Sequence, residues 1–312
     1  MVTINTNSEI YKTLSWVLAP LKKKAGVNND GSLEWEKANR YILDLADKCE
    51  KNGWQIGIYI EDLNIGRTIL KNTEKLFNIA SLIKIGIMAA CYNGMELAPN
   101  LFSIEEKADI EALIIKMIAK SDNSAYKSLV DIFKGKFNEL YFQQYFKSIG
   151  LENTSFAWSN TRDISLLLKK IYKNLLFLNT NLSPKCLDLM KKQLYNNRIP
   201  AKLPGFFKNN IPHKTGTYSV FSPDKRSLGM ACHDAGIIYT PKGDLLICIM
   251  IQCSIPCQNE LKPDATDKEK YDYLCGKEQL FYPKASAVIQ DISAYIYNTC
   301  YFIPQFTPVH GK

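Results

Sequence analysis

The sequence predicts an α/β protein of the α+β type, in which an antiparallel sheet flanked by helices is combined with an inserted all-helical lobe. Three observations predict it. The hydrophobic period is helical over Leu33 to Lys51, then switches to two over Trp54 to Leu70. It is mostly helical again from Ser81 to about Tyr195 and returns to strand character from Ile211 to Cys253. The strand-rich stretches therefore lie towards the two ends of the chain, and a helix-rich middle separates them. On that order, residues 1–70 and 210–312 would form one α/β lobe around the sheet, and residues 71–209 a helical lobe.

The individual elements follow from local signals. Residues 8–24 place Ile10, Leu14, Val17, Leu18 and Leu21 at helical spacing, and Asn28 to Ser32 is a turn-rich break. Leu33 to Lys51 reads as a helix with Trp35, Ala38, Ile42, Leu45, Ala46 and Cys49 on one face, ended by Asn52-Gly53. Trp54 to Ile60 is a strand, Asp62 to Gly66 a turn, and Arg67 to Leu70 the returning strand. Ser81 to Gly94 is an apolar helix closed by Asn93-Gly94. Ile104 to Gly135 is helical but interrupted at Ser121-Asp122-Asn123, where Asp122 is a natural cap. Phe137 to Ile149, Asp163 to Leu176 (capped by Asn160-Thr161) and Ser183 to about Tyr195 are further helices. Strands are expected from His213, over Ala235 to Thr240 and over Leu245 to Cys253, with Pro241 to Asp244 as a turn. Ser254 to Pro283 is polar and reads as an insertion or lid, and Ala285 to Cys300 as a closing helix.

Composition narrows the class. With 46% hydrophobic and 22% charged residues, 312 residues can bury a sizeable core. No run approaches the roughly 18 apolar residues of a membrane helix, so no membrane span is expected. The formal net charge of +8 is scattered, and no basic stripe with aromatics points to nucleic acid. Lys22-Lys23-Lys24 reads as a solvated helix end. The N-terminus lacks the charge-first pattern of a secretory signal, so either the protein stays inside the cell or a signal has been removed. Nine cysteines are an odd number, so at least one has no partner within the chain. Cys91, Cys232 and Cys248 lie in apolar runs and read as small buried hydrophobes. Cys253 and Cys257 are spaced like half a metal site, but no second pair completes one, and no metal or other cofactor is expected. A monomer acting on a small molecule or peptide is the expectation.

The chemistry is carried by three short strings. Ser81-Leu82-Ile83-Lys84 opens an apolar helix, where residues three apart share a face. A serine hydroxyl is a weak nucleophile until a base removes its proton. A lysine can be that base if burial or nearby positive charge lowers its pKa. Ser121-Asp122-Asn123 and His213-Lys214-Thr215-Gly216-Thr217 follow in order. Singly, each has an ordinary reading: solvated lysines, a helix cap, a strand residue, a bulge at Gly216.

Together, and in this order, they resemble the class A β-lactamase-like superfamily, which includes penicillin-binding proteins. The wider strings Met117 to Ala125 and Arg198-Ile199-Pro200-Ala201-Lys202-Leu203-Pro204 extend the resemblance. It implies a β-lactamase/transpeptidase-like fold with the motifs where the lobes meet. It further implies that Ser81 is acylated by a β-lactam or cell-wall-like amide, with Lys84 taking its proton and Ser121 relaying a proton to the leaving nitrogen. Asn123 would hydrogen-bond the substrate, Lys214 supply positive charge, and Thr215 bind the substrate carboxylate. Gly216 would let substrate lie close to the strand, and the amides of Ser81 and Thr217 would form an oxyanion hole. The resemblance gives no role to a Ser-His-Asp triad, so His213 and His233 are read as structural or substrate-adjacent, and His310 as tail. An exported or periplasmic location is usual for the superfamily.

One departure stands out. Class A β-lactamases place a deacylating glutamate in a long loop, whereas here Gly150 to Asp163 is shorter by about a dozen residues and lacks it. Glu152 is the only carboxylate before Arg162, and its place beside Leu151 suits a turn. An acyl-enzyme that forms but hydrolyses slowly, as in penicillin-binding proteins, is the leading expectation. The alternatives are a true β-lactamase with another base, and a binding or sensing module without turnover.

Overall fold

The structure, a computed structural model, describes residues 32–207, 210–221, 227–256 and 265–301. The expected helix over 8–24, Lys22 to Lys24, Cys257 and His310 lie outside the described residues. In chain order the elements are α1 (Ser32–Lys51), β1 (Gln55–Asp62), β2 (Thr68–Lys71), β3 (Phe77–Asn78) and a 3-10 turn (Ala80–Leu82) running into α2 (Ile83–Leu97). Then come α3 (Ile104–Ala119), α4 (Asn123–Lys136), α5 (Tyr141–Ser148), β4 (Trp158–Ser159), α6 (Thr161–Tyr172) and α7 (Leu182–Lys191). Three strands, β5 (His213–Phe221), β6 (Ser227–Ile238) and β7 (Leu245–Pro256), precede the last long helix, α8 (Asp267–Ile296).

The five-stranded antiparallel sheet runs β2-β1-β7-β6-β5, so strands from both ends of the chain interleave. Alternation along each strand separates two cores. Ile247, Ile249 and Ile251 of β7 join Ile56, Ile58 and Ile60 of β1 against Ala38, Ile42 and Ala46 of α1 and Ile289 and Ile292 of α8. The intervening Leu246, Cys248 and Met250 face the other way, into the core built by α2 to α7.

At the centre of that second core, α2 is buried on nearly every side from Ile83 to Tyr92. A helix apolar all round belongs inside a bundle rather than on its surface. Gly94 does not end it: α2 continues to Leu97, and the absence of a side chain at Gly94 leaves the room that Phe133 and Tyr141 occupy. The segment expected to be an insertion over 254–283 is largely ordered structure. Residues 254–256 complete β7, and Thr266 caps α8 at 267 with a reciprocal Glu269 contact, so the closing helix starts well before Ala285 and runs through Pro283. Its tyrosines and lysines obscure the helical period that Phe281, Ala285, Ile289 and Ile292 carry. Helix α5 starts at Tyr141 rather than Phe137, and β6 starts at Ser227 rather than Ala235.

Candidate active site

The site lies where the edge strand β5 meets the start of α2 and the α3–α4 junction. Ser81 sits in the 3-10 turn, partly exposed, directly after Ala80 at φ +48°. A left-handed alanine is strained and must be held by its surroundings. Here Asn78 Oδ1 accepts the Ala80 N–H at 3.0 Å, and the Ile79 N–H donates to Ala157 O at 3.0 Å. Ser121 is the second strained residue, at φ +54°, between the end of α3 and Asp122, whose carboxylate caps α4 through the Ala125 N–H at 2.7 Å. The capping reading of Asp122 thus describes its contact, and the cap turns Ser121 out of the helix.

Lys84 is buried, 2% exposed. Its Nζ donates to Ser121 O at 2.6 Å, Asn123 Oδ1 at 2.7 Å and Ser121 Oγ at 3.2 Å. All three ammonium protons are engaged, and among the described residues no hydrogen bond joins Lys84 to Ser81. Burial lowers the Lys84 pKa to about 8, partly opposed by Asp122. Lys214, on β5, donates to the same Ser121 Oγ at 2.9 Å and to Thr215 O at 3.0 Å. It is fully buried, and burial first, then the charges of Lys84 and Arg198, hold its pKa well below the usual lysine range, with Asp234 pulling the other way. The positive charge expected of Lys214 is therefore disfavoured by its surroundings.

Gly216 does not open space for a substrate on its Cβ side. A Cβ there would lie 3.3 Å from Leu82 Cγ and from His233 Cβ and Cδ2, so the missing side chain lets β5 close on the serine turn. Thr215 is buried at 5% exposure, whereas Thr217 and Asn123 are exposed. Behind the strand, Arg198 donates from Nη2 to Thr217 Oγ1 at 2.6 Å and from Nη1 to Gly216 O at 2.7 Å and to His233 O. His213 Nδ1 lies 3.0 Å from Asp234 Oδ1, and Asp234 Oδ2 accepts the Ile199 N–H at 3.0 Å. Reading the sequence missed Arg198 and Asp234 as parts of the site. The Arg-Ile-Pro string was visible, but only register shows which carbonyls it serves.

Glu152 is exposed, and between it and Arg162 there is no other carboxylate. Asp163 is buried and committed: it accepts from the Asn153 N–H at 2.8 Å and Thr154 Oγ1 at 2.9 Å. Among the described residues no group of three or more His, Cys, Asp or Glu side chains is placed to hold a metal, and no helix is long and apolar enough to cross a membrane.

The profile of the Beta-lactamase enzyme family matches residues 37–98 and 100–300. The chain belongs to this family. Solved structures agree in fold. PBP-A, in an acyl-enzyme complex of a mutant with penicillin G, is 20% identical with a TM-score of 0.60, covering 84% of this chain and 96% of that one. A β-lactamase from Sphaerobacter thermophilus is 18% identical at TM-score 0.63, covering 84% and 97%. One from Chitinophaga pinensis is 18% identical at TM-score 0.60, covering 84% and 98%. No curated protein sequence matches the chain. This member of the β-lactamase family thus shares the mixed α/β fold of both β-lactamases and PBP-A.

Proposed function

We propose that the chain is a serine acyl-enzyme acting on β-lactams or related cell-wall-like amides and esters, with slow deacylation. The observation that carries this reading is the placement of Ser121 Oγ between two lysine amines, Lys84 Nζ at 3.2 Å and Lys214 Nζ at 2.9 Å, with the partly exposed Ser81 one helical turn before Lys84. Lys84, once deprotonated, accepts the Ser81 Oγ proton as Oγ bonds to the substrate carbonyl carbon. The carbonyl oxygen takes negative charge against the Ser81 and Thr217 amides. The proton then passes through Ser121 Oγ to the leaving nitrogen as the C–N bond breaks, and the acyl group remains as an ester on Ser81. Asn123 and Thr215 bind the substrate, and the substrate's anionic group re-charges Lys214. Arg198 supports Thr217 from behind: because Thr217 Oγ1 accepts from the guanidinium, its own proton is free to point outward.

Hydrolysis of that ester needs a base beside the attacking water. In the segment before α6, Glu152 is exposed and makes no contact with the lysine–serine cluster among the described residues, and Asp163 is engaged by Asn153 and Thr154, which supports slow clearance. Intact-protein mass spectrometry over time with penicillin G tests this, with Ser81→Ala as control. A serine-dependent adduct lasting hours is expected. No adduct would leave a binding module, and clearance within seconds would mean a β-lactamase with another base.

A further inference from the structure

His233 has no part in the steps above, yet it is fully buried between Asn78, which leads into the Ser81 turn, and the strands β5 and β7. Its Nε2 lies 2.7 Å from Asn78 O, and its Nδ1 lies 3.1 Å from the Ile251 nitrogen. A backbone N–H can only donate and a carbonyl only accept, so these two contacts set the tautomer: Nδ1 accepts from Ile251 and Nε2–H donates to Asn78. Burial pushes the imidazole pKa down to about 4, so this neutral ring persists at neutral pH.

The two ends of that bridge matter. Asn78 is the residue whose side chain holds the strained Ala80 amide, and its own N–H donates to Gln252 Oε1 at 3.0 Å. His233 also sits opposite Gly216 in the β5–β6 register, and its ring and Cβ fill the space a Gly216 side chain would need. Arg198 Nη1 joins the carbonyls of Gly216 and His233. The Phe77 ring packs T-shaped against the imidazole, with centroids 6.3 Å apart. One ring therefore touches both the lead-in to Ser81 and the residue before Thr217.

The geometry points to His233 as a positioning residue: by tying Asn78 to β6 directly behind Gly216, it sets the distance between the Ser81 and Thr217 amides that receive the developing oxyanion. This rests on the acyl-enzyme reading. Donors aimed at developing charge act only when placed correctly, and a misplacement of about 1 Å can cost about a hundredfold in rate. Loss of the bridge should therefore slow acylation while leaving first encounter intact, because Thr215, Lys214 and Asn123 are not its partners.

The test uses the full chain with labelled histidine nitrogens. NMR without ligand reads the tautomer, and rapid-quench mass spectrometry with penicillin G reads acylation in wild type, His233→Leu and His233→Gln. The wild-type spectrum should show a protonated Nε2 and a bare Nδ1. His233→Leu should lower the limiting acylation rate about a hundredfold with the encounter constant within about twofold. His233→Gln, whose amide Nε2–H can still reach Asn78 O, should stay within about threefold of wild type. A protonated Nδ1, a Leu variant as fast as wild type, or equal losses in the Leu and Gln variants would overturn the proposal. If the Leu variant fails to fold, the Gln variant and the tautomer decide. A wild type with the expected tautomer that takes no penicillin would instead overturn the acyl-enzyme reading, and with it a role in acylation, while leaving the bridge itself intact.

Discussion

Acylation should follow the titration of Lys84. Its three protons are donated to Ser121 O, Ser121 Oγ and Asn123 Oδ1, so it has no lone pair for the Ser81 proton until it loses one of them and becomes neutral. With a pKa of about 8, the neutral fraction is about 1% at pH 6, about 9% at pH 7, about half at pH 8 and about 90% at pH 9. The limiting acylation rate should therefore rise about tenfold from pH 7 to pH 9 and level off above it. An ordinary lysine near 10.5 would give a rate still climbing tenfold per unit at pH 9. Asp122 raises the Lys84 pKa, so Asp122→Asn should move the midpoint of the rise to lower pH. Rapid-quench mass spectrometry with penicillin G from about pH 6 to pH 10 measures this, with circular dichroism to confirm that the fold persists. A flat profile, or one still rising at pH 10, would refute the assignment of Lys84 as base. A midpoint moved upward by Asp122→Asn would refute the electrostatic argument.

Other consequences are open to measurement. Because His233 is held at about 4 in the fold against an ordinary value near 6.5, the unfolded chain binds a proton that the folded chain refuses as pH falls between them. This contribution is complete above about pH 6.5 and falls by about 3 kcal/mol by pH 4; urea unfolding should show a shallower acid loss in His233→Gln by that amount. Arg198→Ala leaves Gly216 O and His233 O without their buried donor, and should cost about 3 kcal/mol of stability in urea titration as well as weakening encounter with anionic substrates. Glu152→Gln should leave adduct lifetime unchanged within about twofold, because the side chain is exposed; a tenfold longer lifetime would make it the missing base. Phe133→Ala, in the aromatic cluster with Phe102, Tyr141 and Phe142, should cost about 3–5 kcal/mol by the same unfolding assay.

The sequence alone determined the order of elements, the antiparallel sheet shared between the chain ends, and three motifs. Those features are local: Ile56, Ile58 and Ile60 alternate because a strand has two faces, and Asp122 and Asn160 announce caps because their side chains bond the next turn's amides. Tertiary structure alone decided what depends on register and burial. It joined Asn78 to His233 across 155 positions, packed Gly216 against Leu82 and His233, and brought Arg198 behind Thr217. It also extended α8 back to Asp267, where few apolar residues mark the helix. The lysines show the division most clearly. Their spacing is written in the chain, but whether an amine holds its proton depends on the solvent removed and the charges gathered around it, and those come from segments far apart in sequence.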